Sequence, residues 1–238
     1  MENSDKGLQQ VRDIIAAAHK DCSLSEKLQF YDRWATRYEE DVSILEYKAP
    51  HLAALALASV CLLNRESKLV LDVACGTGRA AEELQCCGFN LFHGLDGSAG
   101  MLAIAKKKDL YQELKQCMLG QEQLPNDSEK YDAVIIVGAL SDGQVPVSVL
   151  SELLRVTKSG GFVCMTTRSN ISNLQYKAEL EEGISSLQSK RLWEQVLVQE
   201  VEQWEKATSD KEITQESDYI PGVIYIYRKM LPLPIVSQ

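Results

Sequence analysis

Apolar positions recur at helical spacing through residues 8–20 and 24–63 with few breakers. Pro50 stands where a first-turn proline opens an apolar helix over 51–63. From residue 68 the pattern changes to short β-rich runs separated by helical ones. KLVLDVA precedes a helix from Arg79 to Cys87, FNLFHGLD precedes one from Ser98 to Lys108, and KQCML reads as the third strand. YDAVIIVGAL is followed by a helix over Val147–Thr157 and then by GGFVCMTTR. Strands alternating with helices predict a parallel, doubly wound α/β sheet with right-handed crossovers. After residue 168 a long polar and amphipathic segment leads to WEQVLVQEVEQW and GVIYIYRKM. The connection between these two runs is too short for a helix, so they read as an antiparallel hairpin closing the sheet edge.

A chain of 238 residues fits one such domain. Its expected division is a helical lid over 1–66, a ligand-binding core over 67–168 and a substrate-side segment with the closing hairpin over 169–238. The formal charge of -9 argues against a nucleic-acid partner. Seven cysteines (22, 61, 75, 86, 87, 117 and 164) form no CxxC pair and no zinc spacing, so they read as reduced thiols. The first residues show no signal-peptide pattern, and LAALALASVCLL is too short to span a bilayer. A cytoplasmic, monomeric protein is the expectation. His19, His51 and His93 share no spacing with acids or cysteines, and no metal site is expected.

The chemistry concentrates in KLVLDVACGTGRAAEEL, residues 68–84. Gly76 and Gly78 permit a tight turn and close approach of a ligand to the main chain. The following helix offers free N–H groups to an anionic group. Asp96, 20 residues after Gly76, ends the second strand, where a carboxylate can accept from both hydroxyls of a ribose. The loop also satisfies a dinucleotide pattern. Asp72 discriminates, because a carboxylate at that point repels a pyrophosphate and holds an ammonium. S-adenosylmethionine carries the matching groups: a carboxylate, an amine and a ribose.

DVACGTGR followed by GLDGSAGMLAIAKKK resembles motif I and the acidic second-strand motif of class I S-adenosylmethionine-dependent methyltransferases, over roughly residues 30–168. The resemblance implies a Rossmann-like, mostly parallel seven-stranded sheet and S-adenosylmethionine as cofactor. It implies that Asp72, Ala74, Cys75, Gly76, Thr77 and Gly78 wrap the methionine part, and that Asp96 holds the ribose with Gly97 and Ser98 beside it. Met101 would cover one face of the adenine. Where relatives carry an acid after the third strand, this chain reads LGQEQLP, so Leu119, Gly120 and Gln121 are the adenine candidates. Val137, Gly138 and Ala139 would line the methyl donor.

The run FYDRWATRYEED places Tyr31, Trp34 and Tyr38 on one helix face. That face packs on the sheet or, as in related methyltransferases, folds over the cofactor with an aromatic wall for the sulfonium. Residues before about 45 are then expected to order on cofactor binding. Beyond strands four and five, Ser141, Arg168 and Asn170 are substrate candidates, and Asp142 is the candidate base or orienting residue. The N/D-P-P-Y/F signature of base-amine methylation is absent, and no covalent nucleophile is required. The expected function is methyl transfer to a small-molecule or protein acceptor. The alternatives are a non-catalytic cofactor-binding partner protein and a nicotinamide-dependent oxidoreductase.

Overall fold

The computed structural model describes residues 2–18, 23–209, 212–213 and 217–231; His19, Cys22 and the end of the first predicted helical stretch lie outside them. The helical opening is four helices: α1 (Glu2–Ala18), α2 (Leu24–Trp34), α3 (Tyr38–Ile44) and α4 (Ala49–Val60). Ser23 caps α2 in a reciprocal capping box with Glu26. In α4 the buried alanines 49, 53, 54, 56 and 58 let the helix lie close on the sheet.

Then follow β1 (Leu69–Val73), α5 (Arg79–Cys86), β2 (Leu91–Asp96), α6 (Ala99–Lys107), β3 (Tyr111–Gln116), β4 (Tyr131–Leu140), α7 (Val149–Val156) and β5 (Thr157–Arg168). The chain ends in α8 (Leu174–Ser189), β6 (Trp193–Lys206) and β7 (Tyr219–Lys229). The seven strands lie in the order β3-β2-β1-β4-β5-β7-β6. The first five are parallel, β7 runs antiparallel to β5, and β6 pairs antiparallel with β7. The expected hairpin is present, with its second strand inserted next to the parallel sheet and its first strand outermost.

The period of two along the strands divides the core. Val70, Ala133, Ile135 and Cys164 face the α4 and α5 side, whereas Leu71, Val134, Ile136 and Val163 face α7 and α8. One expectation needs correction. The third strand lies at Tyr111–Gln116, ahead of KQCML, because an edge strand paired only with β2 keeps a polar, half-exposed sequence. The polar segment after residue 168 folds into α8, which buries Tyr176, Leu180 and Ile184.

Candidate functional site

The β1–α5 loop is bent by left-handed backbone at Ala74 (φ 57°), Gly76 (φ 54°) and Gly78 (φ 91°). Such alternation aims successive N–H groups to one side, a cradle for an anion. No atom lies within 4 Å of where a Cβ on Gly76 would stand, so the space above the loop is open. Asp96, at the end of β2, holds the loop: its Oδ2 accepts from Gly76 N at 2.8 Å and its Oδ1 from Ser98 N at 2.8 Å. Burial pushes the Asp96 carboxyl above its ordinary value, opposed by those two N–H groups. Asp72 is buried, with its Oδ2 accepting from the Tyr111 hydroxyl at 2.7 Å. Burial drives its carboxyl up to about 7; the Tyr111 hydrogen bond works against this and the Asp96 charge adds to it. Asp72, buried, and Asp96, half-buried, suit a site that receives positive charge. On the same loop the Arg79 Nη1 is buried without a hydrogen-bond partner, a donor waiting for an anion.

Three adjoining compartments open over the carboxyl ends of the strands. The first lies over the loop, between Asp72, Cys75, Thr77 and Arg79. The second, about 830 Å³ including space open to solvent, runs from Gly76 past Asp96, Gly97 and Met101 to Met118 and Leu119. The third, about 600 Å³, lies between the lid and the ends of β4, β5 and β6. Gly76, Ala74 and Val137 belong to the first two, Tyr31, Gly138 and Gln144 to the last two, Tyr47 to the first and third, and Tyr38 to all three.

The lid is fastened by specific bonds. Asp32 of α2 accepts from Ser98 Oγ at 2.6 Å and from Gly100 N at 2.8 Å, so it supplements Ser98 in capping α6. Trp34 Nε1 donates to buried Asp41 at 2.7 Å. Lys27 reaches the carbonyl of Gly143. The phenols of Tyr31, Tyr38 (about 12) and Tyr47 are pushed up chiefly by burial and stay protonated in neutral solution.

A bulge in β4 between Ile136 and Leu140 places Gly138 at φ 73°, with its N–H donating to Thr166 Oγ1 at 3.0 Å. A Cβ there would stand 2.2 Å from the Tyr47 hydroxyl, so glycine alone fits. A second irregularity, in β6 between Val201 and Glu205, breaks the in–out alternation and buries Trp204 and Glu205 consecutively. Gly222 of β7 leaves room for the Trp204 ring, which a Cβ would meet at 2.3 Å.

A family model described as a methyltransferase domain matches residues 70–161. Methyltransferase-like protein 27 of Homo sapiens is 52% identical over 187 residues, 79% of this chain and 76% of that protein. The chain belongs to the class I S-adenosylmethionine-dependent methyltransferases. A malonyl-[acyl-carrier protein] O-methyltransferase of Salmonella typhimurium is 33% identical over 144 residues, covering 58% of this chain and 51% of that enzyme. Among solved structures, a Haloferax volcanii methyltransferase in complex with the Trm112 activator matches with a TM-score of 0.60 at 18% identity, over 85% of this chain and 96% of that one. The [4+2]-cyclase SpnF matches with a TM-score of 0.57 at 19% identity, over 77% and 81%. These two show the fold alone. Among the described residues no helix is long and apolar enough to cross a membrane, and no group of acids, histidines and cysteines is arranged to hold a metal.

Within this methyltransferase the sequence-predicted residues fall into distinct places. Asp72, Ala74, Cys75, Gly76 and Thr77 line the first compartment, and Asp96, Gly97, Met101, Leu119, Val137, Gly138 and Ala139 the second. Gly78 is the N-cap of α5, behind the loop, and Ser98 is buried as the α6 cap. Gly120 and Gln121 line an outer cleft instead of the second compartment. Tyr31, Trp34 and Tyr38 all line the third compartment, Trp34 as part of the buried lid core. Ser141 and Arg168 line the third compartment and a polar cleft beyond it; Asn170 lines only the cleft. Asp142 is exposed in the outer clefts, away from the three compartments that Tyr38 joins. His93 sits against the Tyr131 hydroxyl at 3.0 Å and Glu113 at 3.1 Å, a strand-packing role. Sequence reasoning missed Arg79, Tyr47, Gln144, Trp204 and Glu205. Only Arg79, adjacent to the glycine loop, carried a local signal.

Proposed function

We propose that this methyltransferase holds S-adenosylmethionine across the first two compartments and receives a small-molecule acceptor in the third. The methionine ammonium is assigned to Asp72 and its carboxylate to Arg79 and the loop N–H groups. The ribose is assigned to Asp96, and the adenine to the space between Met101 and Leu119. The residues fit this ligand: a buried unpartnered donor at Arg79, open space over Gly76 and two acids raised by burial match its charges. When bound, the cofactor supplies an electrophilic methyl group on a sulfonium.

The chain's contribution is alignment and exclusion of water. Tyr38 and Gly138 stand where the cofactor and acceptor compartments meet, with the protonated Tyr38 phenol offering its ring face to positive charge. The observation that carries the reading is this shared junction, in which Tyr38 lines all three compartments. A small acceptor is favoured over a macromolecule because the third compartment is roofed by buried lid residues Trp34, Val42 and Leu45. The -9 charge argues in the same direction for nucleic acid. The cytoplasm supplies both cofactor and small acceptors and fits a chain whose described residues include no membrane-spanning helix.

Titration calorimetry with S-adenosylmethionine, S-adenosylhomocysteine and NAD, repeated on Asp96→Ala, tests the cofactor assignment. Binding of the first two and its loss in the variant are expected; binding of NAD alone overturns it.

A further inference from the structure

The third compartment carries two charged side chains, and they are set into its walls very differently. Glu205 is 2% exposed and lines only this compartment, whereas Arg168 also lines the polar cleft beyond. Arg168 Nε lies 2.6 Å from Glu205 Oε1, yet that oxygen has no aligned hydrogen-bond donor. A buried ion pair adds little to stability, since apolar residues of similar volume commonly serve as well. The Arg168 charge offsets part of the cost of burying that oxygen, and a ligand N–H aimed at it offsets more. Around Glu205 the walls are aromatic: Tyr31, Tyr38, Tyr47 and Trp204. Ring faces favour positive charge, and Glu205, whose partner Arg168 also faces the polar cleft beyond, gives that charge an acceptor inside the box.

The geometry points to a small amine as the methyl acceptor, held by an N–H donated to Glu205 within the aromatic box, with Arg168 as the residue that positions Glu205. Alcohols and carboxylic acids are then poor ligands. Burial raises the Glu205 carboxyl while the Arg168 charge opposes this, so the group is suited to accept a proton from an ammonium as well as to bind it. The proposal rests on the cofactor assignment above only in placing the acceptor in the third compartment; binding in the box is measurable by itself. Trp34 and Trp204 line that compartment and report its occupancy by fluorescence.

The probes are phenethylamine, benzylamine and tyramine against 3-phenylpropionate and 2-phenylethanol, titrated into the full chain with and without saturating S-adenosylhomocysteine. At least one amine is expected to change tryptophan fluorescence saturably, with the acid and the alcohol binding at least tenfold more weakly. Glu205→Gln is expected to weaken that amine by about ten- to a hundredfold, as for loss of one charge-assisted hydrogen bond, with S-adenosylhomocysteine affinity unchanged. Should Glu205→Gln fail to fold, the double variant Arg168→Met with Glu205→Gln, which leaves no buried charge unpaired, carries the same expectation. The proposal is overturned if no amine binds, if the acid or alcohol binds equally well, or if the amine binds the variants as it does the parent. Failure of S-adenosylhomocysteine to bind overturns the cofactor assignment instead, and the amine arm is still scored on the ligand-free chain.

Discussion

Replacing Asp72 by asparagine separates the stability of this site from its use. The folded chain holds the Asp72 proton up to about pH 7, against an ordinary value of 3.8, chiefly because the group is buried. That contribution to stability is complete below about pH 4 and is lost as the pH rises through about 7. A rise of about three pH units at roughly 1.4 kcal/mol per unit makes the loss about 4 kcal/mol. The substituted carboxamide cannot ionise, and its oxygen can still accept from the Tyr111 hydroxyl. Without cofactor, Asp72→Asn is therefore expected to match the parent below about pH 4 and to exceed it by about 4 kcal/mol at pH 8. Urea unfolding across that range measures the difference. The same substitution removes the partner assigned to the ammonium, so S-adenosylhomocysteine affinity at pH 8 should fall about a hundredfold or more, as for a broken buried pair. In the parent, calorimetry at pH 6 in buffers of different ionisation enthalpy should show proton release on binding. A stability difference that does not change between pH 5 and pH 8 would refute the reasoning, since Asp72 would then be ionised throughout.

Gly138→Ala should cost about 1–3 kcal/mol for its backbone alone and abolish methyl transfer; adding Tyr47→Phe should recover part of the stability, because the hydroxyl that a Cβ would meet is gone. Asp32→Ala removes two bonds from the lid to the start of α6, and faster amide exchange over residues 24–45 with faster cofactor dissociation is the expected result. Asp41→Ala leaves the Trp34 indole N–H buried without its acceptor and should destabilise the lid by about 1–3 kcal/mol, read as a lower unfolding midpoint. Amide exchange of residues 24–45 should slow when S-adenosylhomocysteine is added; identical exchange in both states contradicts a cofactor-ordered lid.

The cofactor half was legible because its signals are local. A strand, a glycine turn and a helix follow one another in KLVLDVACGTGRAAEEL, and Asp96 repeats the logic one βα unit later. The compartment proposed for the acceptor is built from distant parts. Trp204 and Glu205 are buried side by side only because β6 slips register against β7, whereas a regular strand would have turned one of them to solvent. Tyr47 gains its role from Gly138, which lies far from it along the chain. The sequence pattern places the edge strand β3 too late, at KQCML, for the opposite reason: having one neighbour, it needs little apolar sequence. Asp142 looked chemical from its place after β4, yet the chain turns it outward while its backbone N–H donates to Asn173 Oδ1 at 3.0 Å.

The position of β7 between β5 and β6 also bears on how the chain is made. During synthesis the segment from β1 to β5 emerges in order and can pair strand by strand, but β6 emerges with nothing to pair to, because its neighbour in the sheet is still to come. Only when β7 has left the ribosome and docked on β5 can β6 close the edge and bring Trp204 and Glu205 into place. The compartment proposed for the acceptor is therefore the last part of the site to form. Chains cut before Tyr219 should expose an unpaired β5 edge and aggregate instead of forming a smaller working enzyme.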